Sequence, residues 1–398
     1  MTPSRFPYRD VTLLACCQGL LLTNASGLIS MVALVGFALT DVKALVTLGA
    51  ATYVLGSALS TMPASLWMAR VGRRTGFMAG ALVNVGGCAI AAIGVWQASF
   101  ALLCLGTAVI GIYNAIGVQY RFAAAEITAP ADRAKAISLV LAGGIAGGFL
   151  GPETTRWGRD LFAVPFLGSF VLLSVWALVA LVFQSRLHLP LPPHEERSGG
   201  GRPLAVIVRQ PVFIVAALSA ALAYGLMNLL MVATPLAMDF CSHPYAQVAL
   251  VIQWHVVAMF APGFFTGHLI KRFGVLKVIV AGVVIMGGSV AVALNGNSVP
   301  HFLAALMLLG MGWNFMYTGG TALLTEVYAP SERAKAQGAN EVVTFVIIGI
   351  SSLASGALVA TVGWERMNFG AIPLLGVALA AALWLGWLRR APRAAMGS

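Results

Sequence analysis

Long apolar runs, each closed by a cluster of charge, proline or glycine, dominate the chain. They fall near 11–39, 45–69, 76–96, 99–120, 136–155, 161–184, 211–238, 246–270, 275–295, 301–323, 336–362 and 368–388. About 20 apolar residues suffice for one helical crossing of a bilayer core, so the pattern predicts an all-α polytopic membrane protein with twelve transmembrane helices. The only long polar interruption is Gln184 to Pro203; its Leu-Pro-Leu-Pro-Pro-His-Glu-Glu-Arg-Ser-Gly-Gly-Gly-Arg-Pro tract has no periodicity and reads as a flexible linker. Two six-helix bundles are therefore expected, over 1–184 and 211–398, joined by a linker over 185–210.

Composition agrees with that picture and removes other classes. Of 398 residues, 59% are hydrophobic and only 9% are charged, against about 25% charged in an ordinary soluble domain, which excludes a soluble enzyme. The net charge of +11 comes without a basic run interleaved with aromatics, so no nucleic-acid partner is implied. Placing the N-terminus inside puts 20 of the 24 Lys and Arg residues on the cytoplasmic face, from Arg5 and Arg9 to Arg390 and Arg393, with Arg121 among them. Lys43, Arg156, Arg159 and Arg366 are left outside. Both termini and the linker are then cytoplasmic. The first apolar run is too long for the core of a cleaved signal peptide and reads as a retained helix. Cys16, Cys17, Cys88, Cys104 and Cys241 form no CxxC pair, so neither a disulfide framework nor a structural zinc site is indicated.

The two halves repeat. Glu126-Ile-Thr-Ala-Pro-Ala-Asp-Arg133-Ala-Lys135-Ala returns 200 residues later as Glu326-Val-Tyr-Ala-Pro-Ser-Glu-Arg333-Ala-Lys335-Ala, and Asn114 matches Asn314. Arg70-Val-Gly72 returns as Arg272-Phe-Gly274 at an offset of 202. Two like-oriented halves around a midplane site is a transporter architecture. The loop Ser65-Leu-Trp-Met-Ala69-Arg70-Val-Gly72-Arg73-Arg74, with its counterpart Gly267-His-Leu-Ile-Lys271-Arg272-Phe-Gly274, resembles the G-x-L-x-D-R-x-G-R-R signature of the major facilitator superfamily. In both copies the acidic position is lost, to Ala69 and Lys271, so the charge cluster that the resemblance implies is altered; Arg70, Arg73, Glu126, Arg133, Glu326 and Arg333 remain its candidate members. The plain alternative for Arg133 and Arg333 is that they anchor at lipid headgroups.

Polar groups inside a membrane are costly and so are functional candidates by default. Gln18, Asn24, Asn114, Gln119 and Asn228 are neutral amides that can join helices. Asn114, Asn228 and Trp254 are candidates for lining a cavity, and Glu341 and Glu153 for proton coupling. Gly143 to Pro152 is rich in glycine and suits close helix packing, although it also looks like an antiporter signature of the superfamily.

Met227-Asn-Leu-Leu-Met231 and His255-Val-Val-Ala-Met259 stand apart. The i, i+4 spacing puts each pair on one helix face, and at 1.5 Å per residue all four side chains fall in one slab near the bilayer centre on sequential antiparallel helices. Thioether and imidazole donors suit Cu(I). Pro235 and Pro262 each remove a helix hydrogen bond beside the slab, so both helices are expected to bend there. Cys241, in the outer loop, is a candidate for capturing the metal. Against this stands ordinary packing, since the chain has 15 Met.

The M-x-x-x-M and H-x-x-x-M pairs resemble those of CcoA-type copper importers. That resemblance implies Met227, Met231, His255 and Met259 as copper ligands in a monomeric bacterial inner-membrane protein, with copper as transported substrate rather than prosthetic group. Copper would pass to a cytosolic acceptor for cytochrome oxidase assembly. The same neighbourhood of the superfamily includes riboflavin uptake proteins, for which Trp254, Tyr224, Trp313 and Tyr113 would form an aromatic cavity. A proton-coupled exporter using Glu341 or Glu153, and a non-transporting sensor, complete the alternatives; the absence of a sizeable aqueous domain counts against the last. No G-x-x-x-x-G-K-[ST] motif is present, so no nucleotide-driven pump is expected.

Overall fold

The computed structural model describes residues 6–40, 45, 48–190 and 201–390. Linker residues 191–200, with Arg197, lie outside the described residues, as do Arg5, Lys43 and Arg393. The helices in chain order are α1 Tyr8–Leu39, α2 Leu48–Val71, α3 Arg73–Trp96, α4 Phe100–Gly117, α5 Tyr120–Glu126, α6 Arg133–Ala142, α7 Gly144–Arg159 and α8 Leu167–Ser185. The series continues with α9 Leu204–Val208, α10 Pro211–Phe240, α11 Tyr245–Phe260, α12 Gly263–Phe273, α13 Val275–Leu294, α14 Val299–Leu324, α15 Arg333–Thr361 and α16 Gly363–Leu388.

Among the described residues, eleven helical stretches are long and apolar enough to cross a membrane. The second expected span forms a 24-residue helix, α2, that is not one of them. Its hydropathy is diluted by Gly49, Ser57, Thr61 and Ser65, all of which are buried. Ser57 shows how such a helix is held, by donating from Oγ to the Tyr53 and Gly111 carbonyls at 3.0 Å. Between helices in lipid there is no hydrophobic drive, and small residues with hydroxyl bonds supply the attraction instead.

Several expected spans are broken rather than continuous. The fourth ends as α4 at Gly117 and resumes as α5, and the fifth divides at Gly143 into α6 and α7. The eighth divides at Ala261–Pro262, where proline cannot donate to the preceding turn. Pro235 does not have that effect, since α10 runs through it. The glycines of α7 do serve close approach: a Cβ on Gly147 would strike the Gly19 carbonyl and Leu22 of α1. The repeated loop has one backbone requirement, as Gly72 and Gly274 both sit at φ 92 immediately before α3 and α13.

Two compact units emerge, and each exchanges one segment with the other half of the sequence. Unit 1 contains Met1–Pro130, Leu139–Gly201 and Pro330–Phe345; unit 2 contains Ala131–Ser138, Arg202–Ala329 and Val346–Ser398. In unit 1, α1 packs along α7 and α8, and α4 lies against both α2 and α3. Leu28, Met31, Tyr53, Cys88, Leu103 and Phe170 form part of its core. In unit 2, α14 is the central helix, packed along α10, α11 and α13.

Candidate functional site

The Met/His slab lies wholly in unit 2. His255 and Met259 share a face of α11, as their spacing requires, and that face meets α14: His255 Nδ1 is 2.6 Å from the Leu306 carbonyl, and Met259 packs on Gly310. A carbonyl only accepts, so Nδ1 carries the proton and Nε2 presents its lone pair. Nε2 is buried and has no hydrogen-bond partner among the described residues. Met227 is buried on α10 and Met231 is half-buried one turn on. The expected direct meeting of the two helices is corrected, because α10 and α11 barely touch and each packs along α14 instead. Among the described residues, no three His, Cys, Asp or Glu side chains form a metal-binding group. Cys241 is an exposed free thiol immediately after α10.

An aromatic cluster bridges the helices around α14. Trp313 and Tyr317, one turn apart on α14, stack with ring centroids 5.0 Å apart and planes 18° from parallel. Tyr224 of α10 meets both edge-on at 5.4 and 5.3 Å, and Phe260 of α11 meets Trp313 edge-on at 5.6 Å. Offset and edge-to-face pairs are the arrangements that ring quadrupoles favour. Among the described residues, Trp313 Nε1 is buried without a hydrogen-bond partner, as are Thr318 Oγ1 and Thr321 Oγ1 further along α14. Trp254 is 47% exposed and has no place in this cluster, and Tyr113 is buried in unit 1. Phe260 and Tyr317 were missed by the sequence reading, though the i, i+4 spacing of Trp313 and Tyr317 was available to find Tyr317.

The second concentration of chemistry is in unit 1, where the start of α15 meets residues of α2, α3 and α5. Glu126 accepts from Arg73 Nη2 at 2.7 Å and faces Arg333 at 3.1 Å. Arg73 also donates to Gln119 and to Gln337, and Gln337 donates to Glu126 at 3.3 Å. Two turns into α15, Glu341 accepts from Arg121 Nη2 at 2.5 Å, with side-chain exposures of 1% and 2%. Asn340 donates to the same carboxylate at 2.8 Å. Arg121, placed on the cytoplasmic side by the charge pattern, is thus buried against a carboxylate.

The remaining candidates disperse. Arg70 is exposed and Arg133 is half-buried. Glu326 pairs with Arg389 at 2.6 Å and Glu153 with Arg156 at 2.6 Å, both on exposed surface. The amides do join helices: Asn24 accepts from Asn84 at 2.8 Å, Asn114 donates to Ser57 at 3.2 Å, and Asn228 donates to Ser351 and Ser352 at 2.9 and 2.7 Å.

The family model described as Major Facilitator Superfamily matches residues 11–252 and again 216–397. The chain is 40% identical over 382 residues to the riboflavin transporter RfnT of Brucella anthropi, covering 95% of this chain and 96% of that protein. It is 30% identical to the uncharacterized MFS-type transporter YdeG of Bacillus subtilis, over 82% of this chain and 79% of that one. In structure it is similar to the transporter FucP in its outward conformation, with a TM-score of 0.76 at 14% identity, over 94% of this chain and 98% of that one.

Proposed function

This chain belongs to the Major Facilitator Superfamily, and from that membership we propose that it imports riboflavin. It is a multi-pass transporter of the bacterial inner membrane rather than an enzyme. The observation that carries the substrate reading is the end-to-end kinship with a riboflavin transporter, 40% identical over 95% of the chain. The ring cluster supports it. Riboflavin presents a flat heteroaromatic system with polar edges, and the Trp313–Tyr317 stack, buried in this structure, gathers aromatic rings with an indole N–H that has no hydrogen-bond partner among the described residues. Transport would proceed by exposing the site to the two membrane faces in turn, with no covalent step.

A strain that depends on external riboflavin tests this reading. Expressing the chain should raise uptake of radiolabelled riboflavin, and Trp313→Ala should lower that uptake about tenfold, since one aromatic stacking face is worth roughly 1–3 kcal/mol. No gain in uptake by wild type at normal membrane levels would overturn it.

One observation favours copper as a second cargo reading. A metal-binding imidazole usually donates its other N–H to a carbonyl or carboxylate, and His255 has that geometry with Leu306, leaving Nε2 without a partner among the described residues. If copper is carried, His255→Leu abolishes accumulation of radioactive copper in the same cells while riboflavin uptake stays at the wild-type level.

A further inference from the structure

The two halves hold one helix pair in different ways. In unit 1, α7 lies backbone to backbone on α1, where a Cβ on Gly147 or Gly151 would strike it. At the offset of 200, Ile347 answers Gly147, Ser351 answers Gly151 and Ser352 answers Pro152. In unit 2 that stretch of α15 meets α10 through side chains instead. Ile347 lies against Gly225, and Ser355 Oγ donates to the Leu229 carbonyl at 2.9 Å. Between them Asn228 Nδ2 donates to Ser351 Oγ at 2.9 Å and to Ser352 Oγ at 2.7 Å. One half forms this helix pair without the polar group, so the architecture does not require it. A polar cluster inside a membrane helix pair is then a functional candidate.

Its hydrogen bonds do not close. The Ser355 and Ser351 hydroxyls donate to backbone carbonyls, of Leu229 and Ile348. The Asn228 amide nitrogen donates to the two serines and, at 3.4 Å, to the Ile348 carbonyl. Among the described residues, no donor reaches Asn228 Oδ1 and no acceptor receives the Ser352 hydroxyl proton. Both residues are half-buried, and a small polar group can reach them. One open acceptor beside one open donor is the complement of a hydroxyl, which donates and accepts at once; a carboxylate only accepts and an ammonium only donates.

The cluster also stands next to the rings. Tyr224 and Asn228 are one turn apart on one face of α10, about 6 Å along its axis. Tyr224 is the ring that meets both Trp313 and Tyr317. Unit 2 alone therefore sets aromatic faces and a hydroxyl-binding pair in succession along one helix. A flavin with a hydroxylated side chain has the same succession.

We propose that Asn228 and Ser352 recognise the hydroxylated side chain of the flavin, so that the transporter selects a ring bearing a polyol tail over the same ring without one. A tail hydroxyl donates to Asn228 Oδ1 and accepts from Ser352 Oγ, while the ring system lies toward Tyr224. This selection deepens the riboflavin reading and rests on it.

The test keeps the two apart. Liposomes that hold the purified full-length protein and unlabelled riboflavin are given a trace of labelled riboflavin outside, with increasing unlabelled riboflavin or lumiflavin as competitor. Lumiflavin has the same ring with a methyl group in place of the hydroxylated chain. Wild type should need about tenfold more lumiflavin than riboflavin for half-inhibition of uptake. Asn228→Ala should raise the riboflavin required about tenfold, the factor for a hydrogen bond worth roughly 1.4 kcal/mol, and leave the lumiflavin requirement unchanged. Ser352→Ala, which removes a single half-buried hydroxyl, should raise the riboflavin requirement about threefold, again without changing lumiflavin, and carries the test if Asn228→Ala does not fold. Lumiflavin that competes as well as riboflavin against wild type overturns the proposal. Variants that weaken both competitors equally, or neither, overturn it as well. A wild type that takes up no riboflavin overturns the riboflavin reading and this selection with it.

Discussion

The segments Ala131–Ser138 and Pro330–Phe345 are counterparts by sequence, each entered through the same Ala-Pro turn, and each docks in the unit that does not hold the rest of its helix. Their docks are unlike. Pro330–Phe345 is held by buried charge: Glu126, 11% exposed, with Arg73 and Arg333, and then Glu341 with Arg121. Ala131–Ser138 is held by close backbone approach at Gly267, by Ser138 Oγ bonded to the backbone of Gly263 and Gly267, and by a pair at the surface, Lys271 with Asp132 at 2.9 Å. Glu326, the counterpart of Glu126, is 48% exposed and pairs with Arg389 instead. Duplication has kept the docking segment and its turn, while the means of holding it have diverged. A seam held by buried charge depends on pH for its strength; one held by backbone fit responds only to shape.

The largest effect should come from removing one member of the buried pair. Glu341→Leu leaves Arg121 buried and unable to lose its proton, at a cost of about 3–5 kcal/mol. Arg121→Leu should cost less, because Glu341 can take a proton and become neutral. Both are followed by thermal unfolding of the purified protein at acid and neutral pH. Both deficits should shrink as pH falls, since acid neutralises Glu341 in the Arg121→Leu variant and in the wild type alike, the latter then holding Arg121 as unpaired as Glu341→Leu does. Equal deficits at both pH values would mean that Glu341 does not titrate and would remove the distinction between the seams.

Part of the charged seam was legible: of Glu126, Arg133, Glu326 and Arg333, visible as a set in the repeated motif, Glu126 and Arg333 meet in it, and Gly72 and Gly274 were visible as a pair. The proline break at Pro262 follows from chemistry that any sequence shows. The exchange of helix starts between units was not legible, since apolar periodicity says which residues avoid water and nothing about which helix they meet. Arg121 was hidden for a related reason, as an arginine closing an apolar run reads alike whether it meets headgroups or a buried carboxylate. For His255 the decisive partner is the Leu306 carbonyl, and a backbone acceptor leaves no mark in sequence. The correct helix face was found, but not the helix that it faces.

A middle-sized effect tests the backbone-fitted seam. Ser65 Oγ donates to the Ala334 carbonyl at 2.9 Å, and Gly338 lies beside Met62 and Ser65. At the other seam the residue types are reversed. Gly267 answers Ser65 and lies against the backbone of Ala134 and Lys135, while Ser138 answers Gly338, donating to the Gly263 carbonyl and accepting from the Gly267 N–H at 3.1 Å. Gly267→Ser should therefore cost about 1–3 kcal/mol through a backbone clash, and Ser138→Gly about 1 kcal/mol through lost hydrogen bonds. The double substitution rebuilds the arrangement at 65 and 338 and should cost less than the two singles together, by about 1 kcal/mol. Strict additivity in a double-mutant cycle on thermal stability would mean that the reversal is coincidental.

The smallest effect concerns the pair that looks most like a latch. Lys271 stands where the superfamily signature has its second-half acidic position, and it pairs with Asp132 within unit 2, with side-chain exposures of 56% and 31%. Water screens both groups, so the attraction is offset by the entropy of holding a long side chain in one place, and such pairs contribute about 0–1 kcal/mol. Lys271→Gln should accordingly lower the unfolding midpoint by no more than roughly 2 °C, and 0.5 M salt, by screening the pair, should abolish the difference. A shift as large as that of Glu341→Leu, or one that survives high salt, would show that Lys271 carries buried weight. The two seams would then be alike in strength.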